Sequence, residues 1–514
     1  SETSLAVLRT HESKSTPGGI IASLSVPWGF SKGDDDLGGY HLVWPRDMVQ
    51  SAGGLLAAGA KDDVRRVLSF LKETQRPDGH WSQNMWLDGS PYWDGIQMDE
   101  AALPILLVDL ARRHKALSKS AAVRHWPMVR QAAQYLVING PVSPEDRWEE
   151  DSGYSPFTVA AEIAALLAAA DLANLNDESS IAAYLRETAD VWHDSIDRWM
   201  YASGTDWCEE YEVDGYYVRI APMDPDDGAT SLDGTVILKN VPATEDHREA
   251  VHLVSPDALA FVRFGLRSPD DPRIQDTAKV IDALLKVETS SGPVWHRYND
   301  DGYGEHADGS PFDGTGIGRG WPLLTGERGH YELAAGRTQS AKDLLAAMES
   351  FANQGGLIPE QIWDAPDIPE LELFFGQPSG SAMPLVWAHA EYLKLRRSLR
   401  DGRVFDLPPQ TVQRYLKEKT ASPRAVWRFN HKIRSMQAGK SLRIETLAPG
   451  VIHWTGNEWD STESVKTLDV GLGVHVADLA TDAMPEGAHV VFTIFWPEVD
   501  RWEGTDFTIR IEEL

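Results

Sequence analysis

Hydrophobic residues recur at helical spacing through most of this chain and alternate at strand spacing near its end. In the first part, apolar side chains return every three or four positions, which predicts about twelve α-helices. The predicted helices are 1–11, 45–60, 62–74, 98–113, 121–137, 155–173, 178–200, 255–266, 273–286, 321–335, 339–352 and 381–398. Several of them, such as TVAAEIAALLAAADLA at 158–173, are apolar on more than one face, so we expect them to be buried on several sides.

Long segments rich in Gly, Asp and Trp separate alternate helices. These segments are 12–44, 75–97, 140–154, 201–254, 287–320 and 353–380. Loops of this length inside a compact domain are usually functional. Because they recur once per helix pair, we predict helical hairpins arranged in a ring, with a site built from the loops at one end. No sequence repeat is visible, so the ring is inferred from spacing alone.

The pattern changes near residue 400, where a Pro-containing segment, DGRVFDLPPQTVQRYL, begins. We interpret 401–423 as a linker with a short helix. Beyond it, KSLRIETLAPGVIHWTG, TLDVGLGVHVADL, HVVFTIFWPEV and DFTIRIEEL alternate and carry β-branched or aromatic residues, which is typical of strands. The chain is therefore predicted to be mainly α, with a helical domain over 1–400 and a small β-rich domain over 424–514.

The net charge of the chain limits the classes of molecule that it can bind. There are 78 acidic and 48 basic residues, and the formal net charge is −30. Such a surface repels phosphate backbones and anionic lipids, so we predict no nucleic-acid partner and no membrane partner. No apolar run reaches the roughly 18–20 residues of a membrane span. The single cysteine, Cys208, excludes an intramolecular disulfide.

Tryptophan is abundant, with 19 residues in the chain. Most of these side chains are expected to be ordinary core. A flat apolar ring with one N–H also suits a sugar, which presents C–H groups on its face and hydroxyls at its edge. A neutral sugar meets none of the repulsion that the acidic surface imposes on anions.

Two segments carry candidate catalytic carboxyls. In RWEEDSGYSPFT, Trp148 stands beside Glu149 and Glu150, just before an apolar helix. Acids at a helix N-terminus are also stabilised by the helix dipole, which is the alternative interpretation. In GGLIPEQIWD, Glu360 follows a Gly-Gly loop and is followed by Trp363; the alternative is an acid on a surface loop.

Three more segments carry candidate binding residues. Arg46 and Asp47 in VWPRD could grip vicinal hydroxyls, with Asp accepting and Arg donating hydrogen bonds, or could form a salt bridge at a helix start. In YWDGIQMDE, Trp93 could form a sugar wall, and Asp99 opens a helix. Arg319 lies in a Gly-rich approach to another helix.

Other chemistries fit less well. No HExxH motif and no Cys/His ligand spacing occurs, so we predict no metal site and no cofactor. The Gly-rich segment GTGIGRGW lacks a following GK[ST], which excludes a phosphate loop, and no GxSxG elbow occurs. The acid-rich stretches KGDDDLGG and DPDDGATSLDG miss the EF-hand spacing, although a structural calcium ion stays open for them. Two carboxyls that face each other across a pocket of Trp and Arg are instead the arrangement of catalytic groups used in glycoside hydrolysis.

Five segments, in this order, resemble glycoside hydrolase family 15, the glucoamylase/glucodextranase family. They are VWPRD, WDGIQMDE, RWEEDSGYSPFT, GRGWPLLTGERG and PEQIWD. The resemblance covers residues 1 to about 400 and is strongest to the bacterial branch. It implies an (α/α)6 barrel and an exo-acting enzyme that inverts the anomeric centre and releases β-glucose from α-linked glucans.

The resemblance also implies roles for individual residues. Glu149 matches the general acid and Glu360 the general base, while Arg46 and Asp47 match the pair that holds the terminal glucose hydroxyls. Trp93, Asp99, Trp148, Glu150 and Arg319 match pocket positions, and Trp363 is expected to be a pocket wall.

The mechanism constrains the two acids. Glu149 has to stay protonated near neutral pH, and burial against Trp148 and the charge of Glu150 would both raise its pKa. Glu360 has to stay ionised to take a proton from water. Inversion requires the two carboxyls to be roughly 6.5–9.5 Å apart, so that this water fits between them.

Several alternatives stay open. Family members cleaving α-1,4 and α-1,6 linkages share the same catalytic parts, and a trehalase-like enzyme or a non-catalytic glycan-binding protein could use the same fold. Bacterial members usually carry a β-sandwich domain before the barrel, and none is visible in this sequence. We expect an oligo- or polysaccharide as partner and a secreted or periplasmic location.

Overall fold

The computed structural model describes residues 1–28, 39–223 and 232–513, and its first four-fifths are helical. The helices are α1 (Glu2–Thr10), α2 (Pro45–Ala57), α3 (Lys61–Thr74), α4 (Met98–Arg113), α5 (Lys119–Arg124), α6 (Trp126–Asn139), α7 (Pro156–Leu175), α8 (Ser179–Met200), α9 (Asp206–Glu210), α10 (Ala260–Arg263), α11 (Pro272–Leu285), α12 (Pro322–Ala334), α13 (Thr338–Ser350), α14 (Val386–Asp401) and α15 (Pro409–Thr411). Short 3-10 turns cover Ala250–His252, Pro256–Leu259 and Pro369–Leu371.

Twelve of these elements form two concentric rings. The inner ring is α2, α4, α7, α10, α12 and α14, each contacting the next, and α14 returns to α2. Outside them, α3, α6, α8 and α13 each pack on the inner element that precedes them, α11 packs on the 3-10 turn Pro256–Leu259 that leads into α10, and α1 packs on α14. The structure therefore confirms the predicted ring of helical hairpins, an (α/α)6 barrel.

Three predicted helices differ from the observed ones. The segment 121–137 is split at His125 into α5 and α6, because Pro127 in the first turn of α6 cannot continue a preceding helix. The segment 255–266 is only a 3-10 turn followed by the single turn α10, and Gly265, in the left-handed region at φ 72°, ends it. The last inner helix begins at Val386, since residues before Pro384 are biased away from the helical region.

Helix α7 is long and apolar enough to cross a membrane by length and composition alone. In the fold, 94% of its most apolar window is buried by the surrounding barrel. Its Ala- and Leu-rich faces are covered by α4, α6, α8 and α10, which accounts for a helix that is apolar all round.

Short two-stranded ribbons decorate the barrel loops. They pair β1 (Asn84–Met85) with β2 (Pro91–Trp93), β3 (Tyr201–Ser203) with β4 (Gly215–Tyr217), β5 (Thr235–Ile237) with β6 (His247–Glu249), and β7 (Lys286–Thr289) with β8 (Gly292–Trp295). All four pairs are antiparallel. They stiffen loops that would otherwise have little regular backbone hydrogen bonding.

The C-terminal part is a two-sheet β-domain. Its strands are β9 (Arg424–Arg428), β10 (Ser435–Gln437), β11 (Ser441–Thr446), β12 (Val451–Thr455), β13 (Glu463–Lys466), β14 (Leu468–Asp469), β15 (His475–Leu479), β16 (His489–Trp496), β17 (Arg501–Trp502) and β18 (Phe507–Glu512). One sheet has the order β10-β18-β16-β12-β13, with β17 on β16, and the other β14-β15-β11-β9. Their inner faces enclose a separate core that includes Trp427, Ile444 and Phe492.

The segment 401–423 packs on the barrel. After α15, a π-helical turn covers Val412–Lys417. The Thr411 hydroxyl donates to the carbonyl of Phe264 (2.5 Å), and Arg414 and Tyr415 both donate to the Asp190 carboxylate at 2.6 and 2.9 Å. These contacts hold the predicted linker against α8 and the end of α10.

Close packing of α2 on α14 depends on Gly54. A Cβ atom at this position would lie 2.7 Å from the Ala390 Cα, a backbone atom that cannot move independently. We expect Gly54→Ala to destabilise the fold by about 1–3 kcal/mol, as overpacking usually does. The neighbouring Gly53→Ala is the matched control, since its Cβ would meet only the flexible Lys394 side chain, at 3.3 Å. Thermal unfolding compares the two; equal melting temperatures would contradict the packing assignment.

Candidate active site

A cavity of about 710 Å³ opens at the loop end of the barrel. Each of the six long loops contributes to its wall, through Tyr40, Trp93, Glu149, Lys239, Arg297 and Glu360. The inner helices supply the floor, with Arg46 and Asp47 at the start of α2 and Trp387 at the start of α14. The loops thus form one mouth above the inner helices.

The loop that carries Glu149 is closed at its base. Ser143 and Gly153 exchange backbone hydrogen bonds of 3.1 and 3.0 Å, and the amide of Glu149 donates to the carbonyl of Asp146 (2.9 Å). Glu149 itself has φ 68°, a left-handed conformation that is costly for a residue other than Gly. Such strain persists only where the surroundings over-determine it, and it is concentrated at functional sites.

The Glu149 carboxyl is the more accessible of the two candidate acids. Its side chain keeps 25% of its exposure, and Oε1 lies 3.6 Å from Nη2 of Arg46. Burial raises its pKa, opposed chiefly by the charge of Arg46, and the charge of Glu145 adds to the rise. A carboxyl in this setting is biased toward the protonated form, which a general acid needs.

Glu150, the neighbouring acid, is fully engaged by protein groups. Its carboxylate accepts from Arg297 at 2.9 Å, from Arg219 at 3.1 Å and from Asn240 at 3.2 Å, and Tyr298 makes a further short hydrogen bond. Burial raises its pKa to about 7, while the two arginines act against that. Glu150 therefore holds Arg297 at the cavity wall.

Glu360 lies deeper and is almost fully buried. The Tyr40 hydroxyl donates to its Oε1 at 2.5 Å, and the Tyr303 hydroxyl lies 2.5 Å from that of Tyr40. Its Oε2 makes no hydrogen bond with the described part of the protein, which leaves it free to accept from a bound molecule. Burial raises its pKa to about 8, against the hydrogen bond from Tyr40 and the charge of Arg297.

Tyr303 links the two acids electrostatically. Its pKa is held well above the usual value, first by burial, then by the charge of Glu360 and, more weakly, by that of Glu149. Since the charges of both carboxylates raise the pKa of this phenol, Tyr303 lies close to both. The two candidate acids, 211 positions apart along the chain, therefore line one cavity.

Arg46 is a fixed cation on the cavity floor. Its Nη1 donates to Gln97 at 2.6 Å and to Asp99 at 3.1 Å. Asp47, beside it, lines the cavity, and burial raises its pKa to about 7 although Arg46 opposes this. The pair presents a donor and an acceptor side by side, the arrangement that suits two adjacent hydroxyls.

Aromatic rings surround these groups. Trp148 packs edge-on against Trp321, with centroids 5.3 Å apart, and nearly parallel to Trp387 at 6.1 Å. Trp93 stands at the mouth and is 50% exposed, an unusually open position for an indole. Rings in these positions can cover the apolar faces of a sugar.

Three of the predicted pocket residues do not line the cavity. Asp99 is completely buried behind Arg46. Arg319 is buried in an ion pair with Asp364 (3.1 Å) and also donates to two carbonyls. Trp363, expected as a wall, is fully buried under the Arg319 guanidinium, whose Cζ lies 4.3 Å from the ring centroid. Their motif positions are next to cavity residues, but their side chains support the wall from behind.

Several cavity residues were not predicted from the sequence. These are Tyr40, Trp44, Gln83, Lys239, Asn240, Arg297, Tyr303, Trp321 and Trp387. Tyr40 and Trp44 lie in the segment GGYHLVWPRD, and Arg297 is the second residue of HRYNDDGY, so an arginine followed by aromatics was the available signal.

The two acid-rich stretches considered for calcium, at 32–39 and 224–234, lie mostly outside the described residues. Within residues 1–28, 39–223 and 232–513, no group of three or more His, Cys, Asp or Glu side chains could hold a metal ion.

The hydrogen bond from Tyr40 gives a pH prediction. It stabilises the ionised form of Glu360, so Tyr40→Phe raises the pKa of that carboxyl further. If activity requires ionised Glu360, the acidic limb of kcat/KM moves to higher pH, by roughly one pH unit or more for a charge-assisted hydrogen bond. The alkaline limb stays in place. A limb that moves to lower pH would contradict the assigned contact.

The fold and the cavity together define the class. Six helical hairpins in a ring, with two carboxyls and an aromatic wall at the loop end, form the architecture of (α/α)6-barrel glycosidases. The sequence model of Glycosyl hydrolases family 15 matches residues 3–85 and 78–397. The chain belongs to glycoside hydrolase family 15.

Known proteins similar to this chain agree with that placement. The glucoamylase of Clostridium sp. (strain G0005) is 43% identical over 413 residues, which cover 80% of this chain and 55% of that protein. An uncharacterized glycosyl hydrolase of Methanocaldococcus jannaschii is 25% identical over 362 residues, covering 69% of this chain and 50% of that protein. This chain spans about half the length of these curated relatives.

Solved structures show the same barrel. A bacterial glucoamylase complexed with acarbose superimposes with a TM-score of 0.72 at 40% identity, covering 80% of this chain and 57% of that one. The glucoamylase from Saccharomycopsis fibuligera has a TM-score of 0.54 at 16% identity, over 78% of this chain and 94% of that one, and so shares the fold.

Proposed function

We propose that the chain is an inverting exo-glucosidase that releases β-D-glucose from the non-reducing ends of α-linked glucans. The observation that carries this proposal is one cavity that holds Glu149 and Glu360 on different loops, with the Arg46–Asp47 pair at its floor. Membership of family 15 supports it.

In this proposal Glu149 is the general acid. Its carboxyl donates a proton to the glycosidic oxygen as the bond from that oxygen to C1 breaks. Burial favours the protonated form that this step uses, and Arg46 limits the rise in pKa. The carboxylate that is left after proton transfer is stabilised by the same guanidinium, 3.6 Å away.

Glu360 is the general base. Its carboxylate takes a proton from a water molecule whose oxygen attacks C1 from the face opposite to the departing group, which inverts the anomeric centre. Burial raises its pKa to about 8, although the hydrogen bond from Tyr40 and the charge of Arg297 oppose this rise, so the ionised form that acts as base predominates only above that pH. The Oε2 atom, which has no hydrogen-bond partner among the described residues, is the atom that would accept from that water.

Arg46 and Asp47 would fix the terminal sugar. Hydroxyls bound here donate to Asp47 and accept from Arg46, while Trp148 and Trp387 cover an apolar face. A cavity closed at the floor accepts only a chain end, which supports exo-attack.

For the linkage, we propose α-1,4. The support is similarity: the relative that is 43% identical is a glucoamylase, and a bacterial glucoamylase that is 40% identical was solved with acarbose. Enzymes cleaving α-1,6 linkages would use the same catalytic residues, so the linkage is decided by experiment.

A substrate panel tests the proposal. The protein is incubated with maltose, isomaltose, starch, dextran and trehalose, and released glucose is measured, with a Glu149→Gln, Glu360→Gln double variant as the inactive control. A malto-oligosaccharide labelled at its reducing end reports exo-attack, because the labelled product shortens by one glucose at a time. We expect glucose from maltose and starch.

The other outcomes discriminate among alternatives. Release from isomaltose and dextran alone would reassign the linkage to α-1,6, and release from trehalose alone would indicate a trehalase. Binding of these sugars without hydrolysis by the wild type would refute an enzymatic role.

A further inference from the structure

A turn of the C-terminal β-domain contacts both ends of the loop that carries Glu149. The turn, Arg428–His431, follows strand β9, and the loop covers residues 140–154. One contact is made just before this loop begins and the other at its last residue, so the acid-bearing loop is bracketed by a domain outside the barrel.

The first contact is at the C-terminal end of α6. Nη2 of Arg428 donates to the carbonyl of Ile138 at 3.1 Å and makes a shorter hydrogen bond to that of Val137. The Asn430 amide also donates to the Ile138 carbonyl, at 3.2 Å. Carbonyls in the last turn of a helix have no partner within the helix and carry the negative end of its dipole, so a guanidinium there is a favourable cap.

The second contact is at Tyr154, directly after the Ser143/Gly153 base of the loop. The Tyr154 hydroxyl lies 2.8 Å from Nδ1 of His431, and both residues are buried. The two rings also pack against Trp199, at centroid distances of 4.6 and 5.8 Å. Tyr154 is paired through its backbone with Ala221, so its position is set from two sides.

The turn is itself well fixed. Arg428 and His431 exchange backbone hydrogen bonds of 3.2 and 2.9 Å, which closes the turn. Nε of Arg428 lies 3.8 Å from the Glu445 carboxylate, which also accepts from Tyr184 of α8 at 3.1 Å. The turn therefore has a defined position, and its contacts fix the ends of the loop relative to it.

We propose that the Arg428–His431 turn is a positioning device for the general acid. It holds the ends of the loop so that the strained left-handed backbone at Glu149 is maintained and its carboxyl points at the leaving oxygen. Residues Tyr154 and His431 are positioning residues that act through the loop. This inference rests on the proposed function, in which Glu149 is the acid.

The test uses the dependence on the leaving group. Tyr154→Phe removes only the hydroxyl, and His431→Phe keeps the ring against Trp199 but removes the nitrogen. Maltose has a poor leaving group that needs protonation, whereas a 2,4-dinitrophenyl α-glucoside has a good one that needs little. We expect kcat for maltose to fall about tenfold to a hundredfold in each variant, the range that small misplacements produce, with kcat for the aryl glucoside changing less than about threefold and KM for maltose unchanged.

Two controls sharpen this result. If the two residues act through their shared hydrogen bond, the Tyr154→Phe, His431→Phe double variant loses no more activity than either single variant. Tyr415→Phe removes another tyrosine hydrogen bond to the barrel, the one from the 401–423 segment to Asp190 of α8, and is expected to change neither substrate's kcat.

The possible results distinguish failure of the positioning role from failure of the proposed function. If the wild type hydrolyses neither substrate, the proposed function fails. If the wild type is active and Glu149→Gln shows the leaving-group dependence, but Tyr154→Phe and His431→Phe lower both substrates equally or change neither, the positioning role is overturned.

Discussion

Replacing Glu149 by Gln is expected to lower kcat for maltose by roughly 10²–10⁴-fold, the usual contribution of a general acid. Gln has nearly the same shape and can take up the same backbone conformation, but its amide is too weak an acid to transfer a proton to the glycosidic oxygen. The loss should be much smaller for a 2,4-dinitrophenyl α-glucoside, because its leaving group departs without protonation. Steady-state kinetics on the two substrates measure the contrast.

Glu145→Gln is a suitable control for this variant. Glu145 is another acid of the same loop that borders the cavity, and its charge contributes to the raised pKa of Glu149. We expect it to lower kcat for maltose far less than Glu149→Gln does. If Glu149→Gln retained near-normal activity on maltose, the acid would have to be assigned to another residue.

Replacing Glu360 by Gln should be as damaging, but without dependence on the leaving group. Every substrate needs the water to be deprotonated, so kcat should fall by roughly 10²–10⁴-fold for maltose and for the aryl glucoside alike. The amide oxygen can still accept from Tyr40, which keeps the local structure. A loss that depends on the leaving group in Glu149→Gln, and one that does not in Glu360→Gln, would thus distinguish the acid from the base.

An added nucleophile provides the complementary control. Glu360→Ala removes the base and opens space, and azide ion attacks without needing deprotonation. With the aryl glucoside we expect azide to restore turnover and to give β-glucosyl azide. An α-configured azide product would mean that Glu360 is not on the water side of the sugar.

The barrel could be predicted because its signal is repeated. Twelve apolar segments with long loops after alternate ones leave few arrangements that bury every apolar face. The segment 255–266 was predicted less well, since its apolar pattern gives no sign that only one turn of helix forms before Gly265. The single turn that forms packs between α7 and α12 and is ended by Gly265.

The site was predictable only in part. Glu149 and Glu360 stand in segments with family-like neighbours, whereas Tyr40 and Arg297 are single polar residues in long loops. Their partners, Glu360 and Glu150, are 320 and 147 positions away along the chain, and that proximity is a property of the folded barrel. No local pattern encodes it.

The direction of a side chain is likewise a property of the folded barrel, and this explains why three of the predicted pocket residues lie behind the cavity wall. Asp99, Arg319 and Trp363 belong to the right segments, and a motif places a residue near a cavity without specifying where its side chain points. Asp99 turns toward Arg46, and Arg319 toward Asp364. Substitutions at these positions should therefore act through the orientation of their neighbours.

The most direct test of paired carboxyls acting across one cavity is the configuration of the first product. Maltose hydrolysis at high enzyme concentration is followed by ¹H NMR within the first minutes, before mutarotation mixes the anomers. A single displacement by water activated at Glu360 predicts that the glucose from the non-reducing end appears as the β-anomer and then drifts toward equilibrium. Initial release of that glucose as the α-anomer would contradict it.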